Sequence, residues 1–334
     1  MEPLLIVLYV FLGAVIACFL LTFLLVRLAF NRRNDNHPRL RYFTSGDFKG
    51  LSAEPVSFYT KPANRRRGFI YCYPENRNQE LILFSHGIGA GHQAYMHFIE
   101  EFARAGYVVF AYDNTGSQCS EGKNIRGLPQ AAIDIEYALR FIEAEPRYAG
   151  QLKYLVGHSL GAYAVLQALG SNHQIKKAIA IAPFNDVSEI MGAMNPVFRT
   201  LRPFVNIANF LRFGSLAFST SAKALQKSKV PALIISGALD PVVPPKYNFE
   251  VFRKATIHNP KIEYYLVEGQ KHNPYLSVES EQYIIDMILS KTAFMDRKAS
   301  KEVAEAHYQS IDYSQVGNLN PLLFQKMIGY LSKG

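Results

Sequence analysis

The sequence predicts an α/β protein: a mostly parallel central sheet with helices on both faces and a helical insertion, preceded by one transmembrane helix. Three observations carry this. The runs Leu81–Ser85, Tyr107–Tyr112, Tyr154–Val156, Ala178–Ala182, Ala232–Ser236 and Ile262–Val267 are apolar on both faces, with Glu263 their one charge. Helical patterns such as Met96–Ala105, Pro129–Ala144 and Lys246–Lys254 separate them. Continuous apolar strands alternating with helices are the signature of a parallel sheet covered on both sides. Third, residues 3–26 contain no charge, a stretch long enough to cross a bilayer core of about 30 Å at roughly 1.5 Å per residue.

The 334 residues suit one large α/β domain with an appendage, and 49% hydrophobic against 19% charged residues allow a sizeable core. The apolar start is expected to be an uncleaved anchor. A signal peptide wants a basic start and a shorter apolar core ending in small residues, whereas this one begins with Glu2, runs longer and has no small-x-small site after it. Arg27, Arg32, Arg33, Arg39 and Arg41 follow the span against the single Asp35. The positive-inside rule then puts the N-terminus outside the cell membrane and the remainder in the cytoplasm. The net charge of +9 lies beyond residue 30, since Glu2 and Arg27 cancel before it. No basic stripe with interleaved aromatics appears, so nucleic acid is not an expected partner; anionic headgroups are. Cys18, Cys72 and Cys119 are odd in number and scattered, which gives neither a disulfide framework nor a Cys-x-x-Cys pair and fits a reducing compartment.

The expected organisation is an anchor over 1–30, a polar linker over 31–46 and one domain over 47–334. Glu54–Tyr59 and Gly68–Tyr73 read as strands joined through Lys61–Arg67, with Arg65, Arg66 and Arg67 at a solvated hairpin tip, and Pro74–Gln79 reads as a turn. The segment from about 185 to 230 interrupts the alternation. Its Met191, Met194, Phe198, Phe204, Phe210, Phe213 and Phe218 could be core, but its position suggests a lid whose apolar side chains line a substrate pocket. Beyond Leu276 the chain holds more helix than the sheet needs. Val278–Leu289 and Pro321–Leu331 read as helices, and Ala293–Tyr313 as a charged excursion over the surface.

The chemistry centres on Gly157-His158-Ser159-Leu160-Gly161, set between the run Tyr154–Val156 and a helical pattern from Ala162. Strand, Gly-x-Ser-x-Gly turn and helix make a nucleophile elbow. Gly157 and Gly161 let the turn approach its neighbours without a Cβ, and Ser159 sits at the N-terminus of the helix, where the Leu160 amide can stabilise an oxyanion. The carboxyl ends of the other strands supply the rest. After Leu81–Ser85 comes His86-Gly87-Ile88-Gly89-Ala90-Gly91, whose Ile88 amide is the expected second oxyanion donor, with Gly87 allowing the curl and His86 orienting the loop. After Ala232–Ser236 comes Asp240, the expected acid, with Asp186 as its rival; after Ile262–Val267 comes His272, the expected base. The order Ser159, Asp240, His272 is that of the α/β hydrolases. The other histidines, His158 among them, have no metal-ligand spacing, and neither metal nor cofactor is expected.

From about Glu54 onward the chain resembles an α/β hydrolase of the serine aminopeptidase and monoacylglycerol lipase type. The resemblance rests on His86-Gly-Ile-Gly with Tyr95 downstream, Gly157-His-Ser-Leu-Gly, and Gly237-x-x-Asp240 followed by Val-Val-Pro. Asp113-x-x-Gly116 with Ser120-x-Gly122 is similar to that family's next loop but has Gln118 where a glycine is usual. Asp113 is there a structural hydrogen-bonding residue. The resemblance implies acyl transfer to water through an acyl-enzyme, on a fold whose substrates range from esters and lipids to peptides. The expected activity is that of a membrane-anchored serine hydrolase on carboxylic esters, with acyl lipids as substrates. A serine peptidase, an acyltransferase and a non-enzymatic scaffold are the rivals. Oligomeric state is not readable.

Overall fold

The computed structural model describes residues 3–60, 64–75, 80–89, 91–148 and 150–333. Residues 61–63 of the expected connector, 76–79 of the expected turn and Ala90 of the glycine loop lie outside the described residues. Eight strands among the described residues form one sheet: β1 (Ser52–Thr60), β2 (Asn64–Cys72), β3 (Glu80–Ser85), β4 (Val108–Tyr112), β5 (Leu152–His158), β6 (Lys177–Ile181), β7 (Ala232–Gly237) and β8 (Ile262–Val267). Their order is β1-β2-β4-β3-β5-β6-β7-β8. β1 and β2 form an antiparallel hairpin, β2 pairs antiparallel with β4, and every further pairing is parallel. β5 therefore stands mid-sheet.

Alternate residues of a strand serve opposite faces. Leu81 and Leu83 of β3 enter one core and Ile82 and Phe84 the other. The helices are α1 (Pro3–Ala29), α2 (Met96–Arg104), α3 (Gln130–Ala144), α4 (Leu160–Ala168), α5 (Val187–Met194), α6 (Pro196–Thr200), α7 (Arg202–Phe213), α8 (Ser221–Lys227), α9 (Phe249–Ala255), α10 (Val278–Tyr283), α11 (Ser290–Arg297), α12 (Lys301–Gln309) and α13 (Pro321–Ser332). Ile135 and Leu139 of α3, the apolar side of α4, and Phe249 and Phe252 of α9 cover the first face. Phe98, Ile99 and Phe102 of α2 and Leu323, Phe324 and Met327 of α13 cover the second. The expected double burial holds for β4 and β6, all of whose residues are buried, but not for β8. As the edge strand, β8 buries only Ile262 and Val267 and exposes Glu263.

Five readings need correction. Arg65, Arg66 and Arg67 belong to β2, and Arg66 is 1% exposed rather than solvated. Its guanidinium lies 3.3 Å from Asp134 and donates to Thr60 Oγ1 (3.0 Å) and the Glu121 carbonyl (3.0 Å). Asp134 also accepts from the Thr115 amide, the Thr115 hydroxyl and Gln130. Removing one partner of such a buried pair typically costs about 3–5 kcal/mol, because the other charge stays buried. A run of arginines looks solvated in sequence, and only a carboxylate 68 positions away makes its middle member a core residue.

Residues 31–46 are not a free linker. Arg33 donates to the carbonyls of Gln118 (2.7 Å), Ser120 (3.2 Å) and Gly122 (2.6 Å) while holding Asp35, and the Asn34 amide donates to Gly116. The helix read as Val278–Leu289 continues: α10 passes through a π-helical turn, Ile284–Leu289, into α11. The charged stretch to Tyr313 is two helices, α11 and α12, with Ala304, Tyr308 and Ile311 packed against Leu40, Tyr283 and Ile288. Finally, the insertion is present between β6 and β7 as α5–α8, but α7 packs along α1. α1 is long and apolar enough to cross a membrane.

Candidate active site

Ser159 sits between β5 and α4 with φ +54° and ψ −115°, a backbone conformation that costs energy for any residue with a Cβ. Its amide donates to the Ile181 carbonyl of β6 (2.8 Å), and its carbonyl accepts from Tyr163. Both elbow glycines are sterically required. A Cβ on Gly161 would overlap the Ser85 carbonyl, and one on Gly157 the Gly161 carbonyl. The sharp turn and the tight packing of α4 against β3 are therefore one constraint.

Loops after three strands converge on the serine. The Ser159 hydroxyl lies 3.1 Å from His272 Nε2, and His272 Nδ1 lies 2.8 Å from Asp240 Oδ2. Asp240 Oδ1 accepts from the amides of Val242 (2.8 Å) and Val243 (2.9 Å). Burial alone would raise the Asp240 carboxyl, but His272 and these two amides hold it below its ordinary value. An ionised Asp240 only accepts, so Nδ1 of His272 carries the proton and Nε2 is free to accept from the serine hydroxyl. The rival Asp186 is engaged elsewhere: it caps α5 through the Glu189 amide and lies 3.5 Å from Arg202.

His86 lies buried behind the loop that follows β3. Its Nδ1–H donates to the Gly87 carbonyl (2.7 Å), and its Nε2 accepts from the Asn114 amide (3.0 Å). Burial drives its pKa below the ordinary histidine value, despite the opposing charge of Asp113. Gly87 leaves no room for a Cβ beside the Tyr95 hydroxyl. Leu160 opens α4 directly after the serine, and Ile88 stands half-exposed at the cavity wall with Leu160 buried. Asp113 accepts from the His92 amide and ring (both 2.9 Å) and from the Cys119 amide (3.3 Å). Gln118, the departure from the usual glycine, takes φ +40°.

Two positions passed over in the sequence hold His272 in place. Tyr95 Oη accepts from the Gly87 amide (3.1 Å) and donates to His158 Nδ1 (3.0 Å); His158 Nε2–H donates to the His272 carbonyl (2.9 Å). Burial, with a smaller contribution from the His272 charge, pushes the His158 pKa down to about 3, so its ring is neutral. On the other side the buried Glu281 accepts from the amides of Lys271 (3.0 Å) and Asn273 (2.6 Å), bracketing His272. The signal for His158 was its place before the serine in a run of small residues; Glu281 gave none.

A cavity of about 940 Å³ opens over Ser159 and His272. Among the described residues that line it, none belongs to the insertion; its walls are Leu40, Arg41 and Phe43, then Ile88 and Val242, then Ile284, Ile288 and Leu289 of the π-helical turn, and Tyr313 and Val316. The expected lining by the insertion's phenylalanines and methionines is thus incorrect. Met191, Phe198 and Val205 face the core beneath. The carboxylates that line the cavity are already paired: Asp35 with Arg33 (2.8 Å), and Asp296 with His37 (2.7 Å) and Tyr308 (2.9 Å). Among the described residues no group of His, Cys, Asp and Glu is arranged to hold a metal ion.

Fold and site together define the class: the chain has the α/β-hydrolase fold, with Ser159, His272 and Asp240 in the arrangement of a serine hydrolase. Residues 76–214 match the serine aminopeptidase S33 family. Among solved structures, an esterase of Pyrococcus furiosus aligns with TM-score 0.58 at 18% identity over 76% of this chain and 94% of its own. The acylaminoacyl peptidase of Pyrococcus horikoshii gives 0.55 at 16% over 77% and 43%, and an acetyl xylan esterase from Paenibacillus sp. R4 gives 0.54 at 17% over 75% and 87%. At these identities the likeness bears on the fold.

The buried histidines set an acid-side stability dependence. The unfolded chain protonates His158 and His86 below about pH 6.5, while the fold keeps both neutral. Stability is therefore complete above that pH and falls as the pH drops toward about 3, where the folded His158 ring itself protonates. One such group contributes a slope approaching about 1.4 kcal/mol per pH unit inside the window. The depressed Asp240 carboxyl acts lower: its contribution is complete above about pH 4 and is lost as the pH falls through its folded value. Urea midpoints in detergent should thus decline from about pH 7 to about pH 5, less steeply in His158→Gln. Equal midpoints across that range would show that the histidines titrate inside the fold.

Proposed function

We propose that this chain is a membrane-anchored carboxylic ester hydrolase whose substrates are acyl lipids of the monoacylglycerol or lysophospholipid type. Ser159 attacks the ester carbonyl as His272 takes its proton, and Asp240 orients and stabilises the imidazolium. The amides of Ile88 and Leu160 receive the oxyanion. The imidazolium returns the proton to the leaving alcohol, and water, activated by His272, releases the acid from Ser159.

One observation carries the substrate class: the large, mostly aliphatic and aromatic cavity over Ser159, whose lining carboxylates are paired within the protein. An aminopeptidase must offer carboxylates to a free ammonium; here Asp35 and Asp296 already hold Arg33 and His37. Arg297 at the wall favours an anionic or neutral head. Both ester-cleaving and acylpeptide-cleaving neighbours share this fold, and a blocked peptide remains an outcome of the test rather than the reading.

Ser159→Ala should abolish both labelling by a fluorophosphonate and turnover, and Asp240→Asn should lower turnover by orders of magnitude while Asp186→Asn changes it little. The reverse ranking of the two aspartates would move the acid to the loop after β6. Chain-length dependence tests the cavity. Each added methylene that is buried is worth about 0.8 kcal/mol, so kcat/KM on para-nitrophenyl esters should rise severalfold per carbon until the space is full. Ile288→Ala should shift that profile and Phe210→Ala should not. A flat profile, or faster cleavage of aminoacyl anilides than of esters, would replace the lipid reading with the peptidase one. The arginines after α1 place the catalytic domain on the cytoplasmic side in this reading. Protease added to intact cells should leave it whole.

A further inference from the structure

We infer that the insertion helix α7 is a second membrane contact: its outer face lies among lipid acyl chains in the leaflet that holds the C-terminal half of α1. This rests on the reading of α1 as a membrane span.

The shielded positions of α1 define the geometry. Val15, Phe19, Thr22, Phe23, Leu25 and Val26 of α1, with Phe30 just after it, are wholly or partly covered, at spacings that make one stripe along a helix. α7 packs along α1, and Val26 and Phe30 share a core cluster with Val205 and Ala208 of α7. The 27 residues of α1 make a rod of about 40 Å at 1.5 Å per residue, against a hydrocarbon core of about 30 Å. The covered stripe reaches Val15, about 20 Å from the end of α1. When α1 spans the bilayer, most of that stripe is inside the hydrocarbon. The helix that covers it is then at the same depth.

Past its first residue, Arg202, which is exposed and held by Asp186 and Ser188, the side chains α7 turns outward suit that depth. While Val205, Ala208 and Asn209 face inward, Ile207, Phe210 and Leu211 are exposed, Leu211 at 64%, and Val197 of α6 is exposed beside them. Such a cluster on a soluble surface would be a liability, and on a membrane protein it marks a contact with lipid. None of these four lines the cavity over Ser159, so catalysis does not account for them. Charge agrees with the placement. Arg27 near the end of α1, Arg212 near the end of α7, and Arg126 lie close to one another. Three cations at the end of α1 and α7 match an anionic headgroup layer.

The test uses the full chain in phosphatidylcholine–phosphatidylglycerol vesicles. Cys18→Ala and Cys119→Ala remove the exposed thiols, and one environment-sensitive NBD label is placed in turn at Leu211→Cys, Val10→Cys and Val303→Cys, all exposed positions. The label at 211 should be quenched by lipids brominated on the acyl chain about as strongly as the label at 10, while the label at 303 on α12 is not. Quenching at 10 without quenching at 211 would overturn the inference and leave the anchor intact. Quenching at neither would remove the anchor reading and this inference with it. As a second readout, Leu211→Asp should lower turnover of a vesicle-embedded ester severalfold and leave a water-soluble short ester unchanged. Equal turnover of the embedded ester would argue against the contact.

Discussion

The strained backbone at Ser159 is the constraint on which the rest of the site depends. At φ +54° and ψ −115° a residue gives up on the order of 1–3 kcal/mol, and it persists only where its surroundings over-determine it. Here they do. The Ser159 amide is tied to Ile181 in β6, its carbonyl to Tyr163 in α4, and Gly161 lies where any side chain would collide with the end of β3. The strain is thus held by three mid-sheet strands at once. Loosening the packing of α4 on β3 would move the hydroxyl away from His272 without altering any residue of the proposed triad.

The same sheet explains why groups far apart in sequence meet. β3, β5, β7 and β8 run parallel, so their carboxyl ends lie on one edge, and the loops carrying Ile88, Ser159, Asp240 and His272 all start there. What remains is to fix loops that would otherwise drift. A hydroxyl and a neutral imidazole do so between the loop after β3 and His272, through Tyr95 and His158. Neutrality is required, because His158 must accept at one nitrogen and donate at the other. Desolvation supplies it: a charged ring so close to His272 and so deeply buried would be unstable.

This logic also marks what the sequence could reveal. Strands β3 to β7 were legible to within about two positions, because their two-sided burial leaves a continuous apolar run; β8 was legible to the residue, although only its two ends are buried. Ser159, Asp240 and His272 were legible because each follows such a run at a turn. Arg66 was not, since only the distant Asp134 turns its charge inward. Glu281 was not, since it acts through backbone amides, which carry no sequence pattern. The insertion misled for a related reason. An apolar helix near a serine reads as a lid, but apolar character does not say which apolar neighbour it has, and here that neighbour is α1.

The cavity wall binds these parts into one device. Its sequence-distant sides are the segment leaving α1 and the helix that ends in α11, joined where His37 pairs with Asp296 and stacks on Tyr308. Arg33 clamps the first of these to three carbonyls of the loop after β4. The residues that follow α1 therefore cannot swing free, and the cavity is held at a fixed distance from the end of α1. With α1 spanning a bilayer as proposed, a tether of that stiffness would keep the opening near the lipid surface, where amphiphilic esters are concentrated, instead of letting it sample the aqueous volume a flexible linker would allow. An acyl chain leaving the bilayer for an apolar cavity exchanges one hydrocarbon environment for another. Little hydrophobic free energy is then available to favour longer chains drawn from a membrane, although it is available for monomeric esters dissolved in water. Preference for chain length on lipids in a bilayer must come from the shape of the wall around Ile284, Ile288 and Leu289, and not from burial as such.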